Sequence, residues 1–320
     1  MKWRTEVEVP PGDDLIDYSS RVLLLGSCFA THLSEKLQYY QFRQTCNPFG
    51  VVFHPIPMER LLERALGEFW FQPEEVFEGA GRWRCLQAHS SVSGASREEA
   101  LGALNAALAG LRQAALEATH LVLTLGTAYG FRYLKSGQLV ANCHKLPARE
   151  FERKLTPPDV LEESLSRMLQ TLRRENPEVT CLLTVSPVRH IRDGLVENQR
   201  SKAHLITAAH RLVDGGLASY FPSYEIFMDE LRDYRFYSRD LVHPSEVAVD
   251  YVWERFGASW VAPGARPVMD QVAALRKGLS HRPLHPGSTG EAGFRKSLEE
   301  QMARLLVQFP HMDFGTDRAG

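Results

Sequence analysis

Two short polar motifs, more than two hundred positions apart, carry the residue types that acyl-transfer chemistry needs. The first is GSC at 26–28, in which a serine follows a glycine. The second is DLVH at 240–243, whose spacing lets a carboxylate and an imidazole meet across one turn. A serine hydroxyl is a weak nucleophile until a base takes its proton, and the base needs a carboxylate to hold its tautomer. The two motifs therefore predict a site with Ser27 as nucleophile, His243 as base and Asp240 as orienting acid.

The predicted nucleophile lies where a strand turns into a helix. Residues 22–25 form an unbroken apolar run, which is typical of a strand buried on both faces, and Gly26 ends it. A hydroxyl at this turn lies beside a helix N-terminus, whose unpaired N–H groups favour developing negative charge. The alternative is that Ser27 only caps the helix. The helix itself is indicated by apolar residues at helical spacing, namely Ala30, Leu33, Leu37 and Tyr40.

The rest of the chain alternates predicted strands with amphipathic helices. With 320 residues, of which 44% are hydrophobic, the chain is long enough to fill the core of one large α/β domain. The alternation implies a three-layer α/β/α, doubly wound fold around a parallel sheet, with its site outside the carboxyl ends of the strands. The predicted strands are residues 22–25, 42–46, 120–125, 179–185 and 224–228.

One domain is predicted over residues 1–260, with two insertions. Residues 72–96 are aromatic and aperiodic and are interpreted as a surface excursion, whereas 129–143 predict a β-hairpin. Residues 261–320 are predicted to be a C-terminal extension packed on the domain. They contain a Pro- and Gly-rich stretch at 281–293 and then a helix over 294–309.

Composition excludes several classes of function. A net charge of -2 and a pI near 6.6 argue against nucleic acid as a partner. The N-terminus lacks the apolar region of a signal peptide, and no segment approaches the roughly 20 apolar residues of a membrane helix, so we expect a soluble, cytoplasmic protein without a membrane partner. The five cysteines are scattered, which indicates reduced thiols, and no cluster has metal-ligand spacing. We therefore expect neither a metal nor another cofactor, and composition leaves the oligomeric state open.

Several blocks, in order along the chain, resemble the GSCFA domain family. Residues 26–30 spell GSCFA, and the resemblance runs from about residue 20 to residue 256. Through that family the chain is similar to the SGNH, or GDSL-type, esterases and lipases. The further blocks are NPFGVVFHP (47–55), LGTA (125–128), NCHKLP (142–147), SPVRHIRDG (186–194), SKAHL (201–205) and DELRDYRFYSRDLVHPS (229–245).

The resemblance implies a fold and an activity. It implies an SGNH-like sheet of flavodoxin-like strand order and a carboxylic-ester hydrolase or acyltransferase that forms an acyl-serine intermediate. It assigns Ser27, His243 and Asp240 the same roles as the motifs do. The expected partner is a small-molecule or carbohydrate ester.

The chain departs from the GDSL pattern at two places. It has Gly-Ser-Cys where GDSL enzymes have Gly-Asp-Ser, and it has residues 125–127 (Leu-Gly-Thr) where they carry a Gly-x-Asn oxyanion block. The second donor of the oxyanion hole is therefore open. The candidates are the Thr127 hydroxyl, the amides of Asn47 and Asn142, and the backbone N–H groups of Ser27, Cys28 and Gly50.

A cysteine next to the serine offers an alternative nucleophile. At a helix N-terminus the pKa of the Cys28 thiol could be lowered, which would make a thiol-dependent enzyme; otherwise Cys28 is a small residue packed under the turn. A further alternative is a non-catalytic protein that binds a sugar or acyl ligand on the same fold.

Polar residues are expected to surround the crevice. His144 is predicted at the edge of the site on the inserted hairpin. Arg189 and His190 follow a strand end, and either bind a polar or anionic part of the substrate or take part in salt bridges that brace their loop against Glu197 or Asp229. This polar rim favours a small acyl group, such as acetyl on a carbohydrate.

Overall fold

Ten strands form three sheets in the computed structural model, which describes residues 4–281 and 289–315, without the side chains of Asp193 and 289–292. In chain order the strands are β1 (Arg21–Gly26), β2 (Arg43–Cys46), β3 (Val76–Gly79), β4 (Arg82–Cys85), β5 (His120–Leu125), β6 (Tyr129–Tyr133), β7 (Gln138–Val140), β8 (Phe151–Leu155), β9 (Thr180–Val185) and β10 (Ser219–Tyr220). The helices are α1 (Cys28–Tyr39), α2 (Pro55–Leu66), α3 (Arg97–Glu117), α4 (Pro158–Glu175), α5 (Leu195–Asp214), α6 (Ser223–Glu225), α7 (Glu246–Trp260), α8 (Arg266–Leu279) and α9 (Thr289–Gln308).

The central sheet is parallel and has the order β2-β1-β5-β9-β10. This confirms the predicted α/β class with a five-stranded parallel sheet. The chain runs outward from β1 to β2 and then returns to the other side of β1 at β5, so the strand order reverses between β1 and β5. In open α/β sheets ligands bind at such a reversal, outside the carboxyl ends of the strands.

Helices cover both faces of the sheet because alternate strand residues point to opposite sides. On one face Leu23 and Leu25 of β1 pack in a core with α2, α3, α4 and α5. On the other face Val22 and Leu24 pack in a second core with α1, α7, α8 and α9. The helices after residue 260 thus share a core with the first helix of the chain.

The two insertions carry sheets of their own. Residues 129–143 form the predicted hairpin, in which β6 pairs with β7. β8 adds a third antiparallel strand, which was not predicted because three consecutive charged residues lie at the centre of Phe151–Leu155. The prediction of an irregular excursion at 72–96 is wrong in part, because β3 and β4 form an antiparallel pair there. Their turn has positive φ at Ala80 and Gly81 (50° and 73°), as two-residue hairpin turns require.

One predicted strand is wrong. Residues 224–228 are helical: α6 continues into a π-helical turn at Ile226–Glu230, and the last parallel strand is the preceding β10. A short apolar run does not distinguish a strand from a buried helix. The predicted C-terminal helix is confirmed as α9, whereas α8 was not predicted. Residues 282–288 of the Pro- and Gly-rich stretch lie outside the described residues. Within the described ranges, no helix has both the length and the apolar character needed to cross a bilayer.

Candidate active site

The turn between β1 and α1 is built against the neighbouring strand. Gly26 has φ +130°, and a Cβ atom at this position would lie 2.1 Å from the carbonyl oxygen of Thr124 in β5. Only glycine fits so close an approach in this conformation. The backbone N–H of Ser27 donates to the same carbonyl at 3.0 Å. The turn therefore lies directly beside the point where the strand order reverses.

The Ser27 side chain faces inward. Its exposure is 0%, its Oγ accepts the N–H of Phe29 at 3.2 Å as the N-cap of α1, and it lies 3.5 Å from the Thr124 hydroxyl. In this conformation the Ser27 hydroxyl is shielded from solvent. Ser27 thus has, in this conformation, the helix-capping role that the sequence analysis held as the alternative.

The Cys28 side chain is in a different position. Cys28 is the first residue of α1 and is partly exposed, and its thiol is free. Burial raises the pKa of this thiol, and the N–H of Cys28 itself opposes that effect. The prediction of a lowered pKa at the helix N-terminus is therefore wrong. The thiol is protonated near neutral pH and needs a base to become a nucleophile.

Asp240 and His243 form the predicted pair. Asp240 Oδ2 lies 2.6 Å from His243 Nδ1, and Asp240 Oδ1 accepts the backbone N–H groups of Val242 and His243 at 2.9 and 3.0 Å. These hydrogen bonds, first from the His243 backbone and then from its ring, lower the pKa of Asp240 to about 2. The imidazole side chain is 40% exposed, and its Nε2 atom has no hydrogen-bond partner within the described chain. The Nε2 atom is thus free to accept a proton from another group at the site.

The pair approaches the site from the side of β9. The backbone N–H of Arg189, just beyond β9, donates to the Val242 carbonyl at 3.2 Å, which puts the Asp240–His243 loop at the carboxyl edge of the sheet. Strands β9 and β1 flank β5, so they lie about 10 Å apart. No hydrogen bond joins His243 to Ser27 or Cys28 among the described residues. Such contacts are often long before a substrate binds.

Asn47 supplies an uncommitted donor beside the turn. Its Oδ1 accepts the N–H of Gly26 at 2.8 Å, which fixes the amide plane, and its Nδ2 is buried without a partner in the described chain. A buried N–H2 group without an acceptor costs about 1–3 kcal/mol, so it calls for a functional explanation. Of the proposed side-chain donors, Asn47 is the one that bonds to the β1–α1 turn and has a buried N–H2 group without a partner in the described chain.

The Thr127 hydroxyl and the backbone N–H of Gly50, two of the other proposed oxyanion donors, are occupied. The Thr127 hydroxyl bonds to the hydroxyl of Ser201 at 3.0 Å and accepts the N–H of Tyr129. The N–H of Gly50 donates to the Asn47 carbonyl at 2.7 Å. The Oδ1 of Asn142 accepts the N–H of His144 at 2.8 Å, so this amide belongs to the turn that follows β7.

His144 has a structural contact rather than a ligand-facing one. It is buried, and its Nε2 lies 2.7 Å from the carbonyl oxygen of Cys85. Burial is the main cause that lowers its pKa, so the ring stays neutral. We therefore leave His144 out of the candidate site.

Arg189 and His190 lie in the site region. The His190 ring packs edge-on against Phe53 at 5.0 Å, and its Nε2 is buried without a partner in the part of the chain that the structure describes. Burial, and then the charges of Lys202, His243 and Arg153, lower the pKa of His190 to about 3. The imidazole is therefore neutral, and its neighbourhood is cationic. Glu197, a proposed salt-bridge partner of this loop, instead bonds Tyr129 and Arg200.

The sequence comparison bears on the region that contains this geometry. A family model described as GSCFA family matches residues 21–256. The chain belongs to the GSCFA family. The match begins at the first residue of β1 and ends inside α7, so this GSCFA region includes Cys28, Asn47 and the Asp240–His243 pair. No curated protein shows significant similarity to the chain.

The GSCFA region also holds a lysine that the sequence analysis did not single out. Lys202 is 1% exposed, and its Nζ donates to the carbonyls of Gly126 and Ser186, both at 2.7 Å. These carbonyls end β5 and β9, so Lys202 joins the two strand ends under the crevice. Burial lowers its pKa to about 7. The sequence contained a signal for this burial, because Lys202 shares a helix face with Ser201 and Leu205, which are buried in α5.

Metal ligation has no support among the residues that can be described in this GSCFA chain. No group of three or more His, Cys, Asp or Glu side chains there is placed to hold an ion.

Proposed function

We propose that this GSCFA protein cleaves or transfers the acyl groups of carboxylic esters through a covalent acyl-enzyme, with Cys28 as nucleophile and the Asp240–His243 pair as its base. One observation carries the proposal: a preassembled Asp–His pair with a free Nε2 lies at the same sheet edge as a partly exposed thiol at a helix N-terminus. A carboxylate that fixes the tautomer of an imidazole is the arrangement that general-base activation of a nucleophile needs.

The reaction divides into two steps. His243 Nε2 takes the thiol proton as Cys28 Sγ attacks the ester carbonyl carbon, and the tetrahedral intermediate then breaks the C–O bond while His243 gives that proton to the departing alcohol. Water, or another alcohol, next gives a proton to His243 and attacks the thioester. The C–S bond breaks, and the Cys28 thiolate leaves and takes the proton that His243 holds. Attack by water yields a carboxylic acid, and attack by an alcohol yields a new ester.

The choice of Cys28 over Ser27 follows from exposure. Ser27 is 0% exposed and its hydroxyl caps α1, whereas Cys28 is partly exposed at the next position. The raised pKa of Cys28 makes a base necessary, and His243 provides one. Ser27 as nucleophile remains a separate hypothesis, which requires the β1–α1 turn to rearrange.

Two donors are available for the oxyanion. The Nδ2 of Asn47 is free, and the backbone N–H of Cys28, in the first turn of α1, has no intrahelical acceptor. Developing negative charge at this helix N-terminus is favoured by the aligned peptide dipoles as well.

The decisive experiment traps the acyl-enzyme. The protein is mixed with p-nitrophenyl acetate, quenched in acid and examined by intact-mass and peptide mass spectrometry. We expect one acetyl group on the peptide that contains Cys28, its loss in Cys28→Ala, and its persistence in Ser27→Ala. Acetylation that persists in Cys28→Ala and disappears in Ser27→Ala would reverse the choice of nucleophile. Absence of both acetylation and p-nitrophenol release would overturn the proposal.

Ligand binding without turnover is the second candidate function. The observation that favours it is the missing hydrogen bond between His243 and Cys28 in the described chain. Under this hypothesis a non-hydrolysable acyl ligand, such as an alkyl amide, binds equally well to the wild type and to Cys28→Ala, and no ester is turned over by either. Isothermal titration calorimetry with the two proteins separates the two functions.

A further inference from the structure

The loop that carries the Asp–His pair is exposed and contains a residue in a left-handed conformation. Leu241 has φ +57°, a left-handed conformation that costs a non-glycine residue roughly 1–2 kcal/mol. The side chains of Asp240 and His243 are 50% and 40% exposed, so little burial stabilises them. The loop closes on itself through the Ser238 N–H, which donates to the His243 carbonyl at 2.8 Å. A strained, exposed loop needs contacts from outside to keep one conformation.

Arg189 makes such contacts with both its backbone and its side chain. Its backbone N–H donates to the carbonyl of Val242 at 3.2 Å, and its Nη1 donates to the carbonyl of Leu241 at 3.3 Å. Its guanidinium carbon lies 4.0 Å from the ring centre of Tyr237 and 5.2 Å from that of Tyr234. A single side chain thus contacts the loop on its N-terminal side and at the strained residue.

Arg189 is itself attached to a rigid part of the fold. The preceding Val188 is 3% exposed, and its N–H donates to the Ser186 hydroxyl at 3.2 Å. The Ser186 carbonyl accepts from Lys202 at 2.7 Å. The contacts of Arg189 therefore connect the carboxyl end of β9 to the exposed loop.

Within the described part of the chain, the charge of Arg189 is not used in an ion pair. Among the described residues no carboxylate lies within 4.0 Å of its guanidinium group, while the nearby Arg235 pairs with Asp233 at 3.1 Å. The proposed braces to Glu197 and Asp229 are absent from this part of the molecule. Its described contacts are two carbonyl oxygens and two aromatic rings, and all four belong to the segment that leads to His243.

We propose that Arg189 is a positioning residue that holds the Asp240–His243 loop, so that His243 Nε2 stays directed toward the crevice. The catalytic consequence rests on the proposed function, whereas the conformational one does not. Arg189 touches neither Cys28 nor a reacting atom. Its planar guanidinium stacks on tyrosine rings and donates at its edge, which a lysine does only in part.

The kinetic test uses chemical rescue. We expect Arg189→Ala to lower kcat for p-nitrophenyl acetate roughly 10- to 100-fold with little change in KM, and Arg189→Lys to lower it less. Guanidinium chloride at tens of millimolar is well below denaturing concentrations. We expect it to raise the kcat of Arg189→Ala more than methylammonium chloride does. The matched control is Arg235→Ala, because Arg235 belongs to the segment that leads to His243 and its described contacts are with Asp233 and Phe236.

A second measurement does not depend on activity. Hydrogen–deuterium exchange of the peptide over 238–245 is expected to be about 10-fold faster in Arg189→Ala and to slow again with guanidinium, since the N–H groups of Val242 and His243 are protected only while Asp240 holds them. Exchange of the β9 peptide reports whether the variant folds; if Arg189→Ala does not, Arg189→Lys replaces it.

The outcomes separate the two proposals. Faster loop exchange without any ester turnover in the wild type would retain the positioning role and remove the proposed function. If the wild type turns over the ester, and Arg189→Ala has the same kcat and the same loop exchange as the wild type, the positioning role alone is overturned.

Discussion

The hydroxyl oxygen of Ser27 accepts the backbone N–H of Phe29 at 3.2 Å, so the serine of the most prominent sequence motif is the N-cap of α1. An N-cap hydroxyl satisfies a backbone donor that has no intrahelical partner. The adjacent Cys28 is partly exposed. The two neighbours therefore differ in exposure, and under the proposed function Cys28 takes the chemical role while Ser27 caps the helix.

Replacing Ser27 by alanine tests this division. We expect Ser27→Ala to lower the free energy of unfolding by about 1 kcal/mol, with 0.5–2 kcal/mol as the range for lost caps. Acetylation of Cys28 is expected to persist. Urea denaturation followed by circular dichroism measures the first effect, and mass spectrometry measures the second. An unchanged unfolding free energy, together with complete loss of acetylation, would contradict the assignment.

The ionised state of Asp240 gives a prediction about pH. Its pKa is lowered to about 2, so the carboxylate stays charged throughout the range from pH 4 to 9. Asp240→Asn removes the acceptor for His243 Nδ1–H and allows the wrong tautomer, which we expect to lower kcat/KM on the order of 100- to 10,000-fold. The pH–rate profile of the wild type should show no inflection from this carboxylate above pH 4.

The matched control for this change is Asp233→Asn. Asp233 also accepts a backbone N–H two residues ahead, from Arg235 at 2.8 Å, in the same segment. If both variants lose activity equally, the effect comes from the segment's fold and not from the Asp–His pair.

The role of Asn47 can be tested by replacing only its side-chain N–H2 group. Asn47→Asp keeps the acceptor for the Gly26 N–H and removes the free Nδ2 donor. Loss of one oxyanion donor lowers kcat on the order of 100- to 1000-fold, and we expect KM to change little. Asn142→Asp is the control, because Asn142 accepts the N–H of His144 in a similar turn. Equal kcat in wild type and Asn47→Asp would exclude Asn47 from the oxyanion hole.

The sequence predicted the parts of the fold that have strong periodicity. Buried strands such as β5 and β9 are continuous apolar runs, and their helices have regular apolar faces, so the parallel sheet followed directly. The strand at 224–228 was wrong because its few apolar residues fit a buried helical turn equally well. The strand β8 was missed because its exposed positions are charged.

The site was only partly predictable for a different reason. The Asp240–His243 contact is local, so spacing was sufficient to find it. The direction in which Ser27 and Cys28 point depends on Thr124, almost a hundred residues away in β5, and on the conformation of Gly26. Contacts of that kind are not encoded in the spacing of a motif. Lys202 was missed because a lysine on a helix is usually solvated.

Lys202 gives a prediction about stability and pH. Burial lowers its pKa from 10.5 to about 7, so between these values the unfolded chain binds a proton that the folded protein does not. Stability contributed by this group therefore rises as pH increases from 7 to about 10. The largest change in the free energy of unfolding that this pKa shift can produce is on the order of 5 kcal/mol, at 1.36 kcal/mol per pKa unit.

The comparison with Lys202→Met isolates this contribution. Methionine has similar length and no charge, and other titrating groups, including the thiols, are common to both proteins. We expect the difference in unfolding free energy, wild type minus Lys202→Met, to increase between pH 7 and 9.5 in urea titrations. A difference that stays constant over this range would show that Lys202 keeps an ordinary pKa in the folded protein.

Exposed apolar side chains lie close in the chain to His190 and His243, where the sequence analysis emphasised polar residues. They are Ile191 (46%), Leu195 (52%), Val196 (73%) and Leu241 (51%). Exposed apolar side chains around a site favour an apolar ligand group, and each buried methylene contributes about 0.8 kcal/mol. We therefore expect p-nitrophenyl octanoate to have a higher kcat/KM than p-nitrophenyl acetate, against the earlier expectation of a small acetyl group.

Val196→Asp tests the apolar rim at a position where folding should tolerate the change. Val196 lies in the first turn of α5, where an acidic side chain suits the helix dipole. We expect the octanoate-to-acetate ratio of kcat/KM to fall about 10-fold, within the 1–3 kcal/mol that one apolar contact contributes to specificity. Val307→Asp is the control, since Val307 is 84% exposed on α9, outside the matched region. A wild-type preference for acetate that Val196→Asp leaves unchanged would restore the polar-rim hypothesis, because the exposed aliphatic side chains would then make no contact with the acyl group.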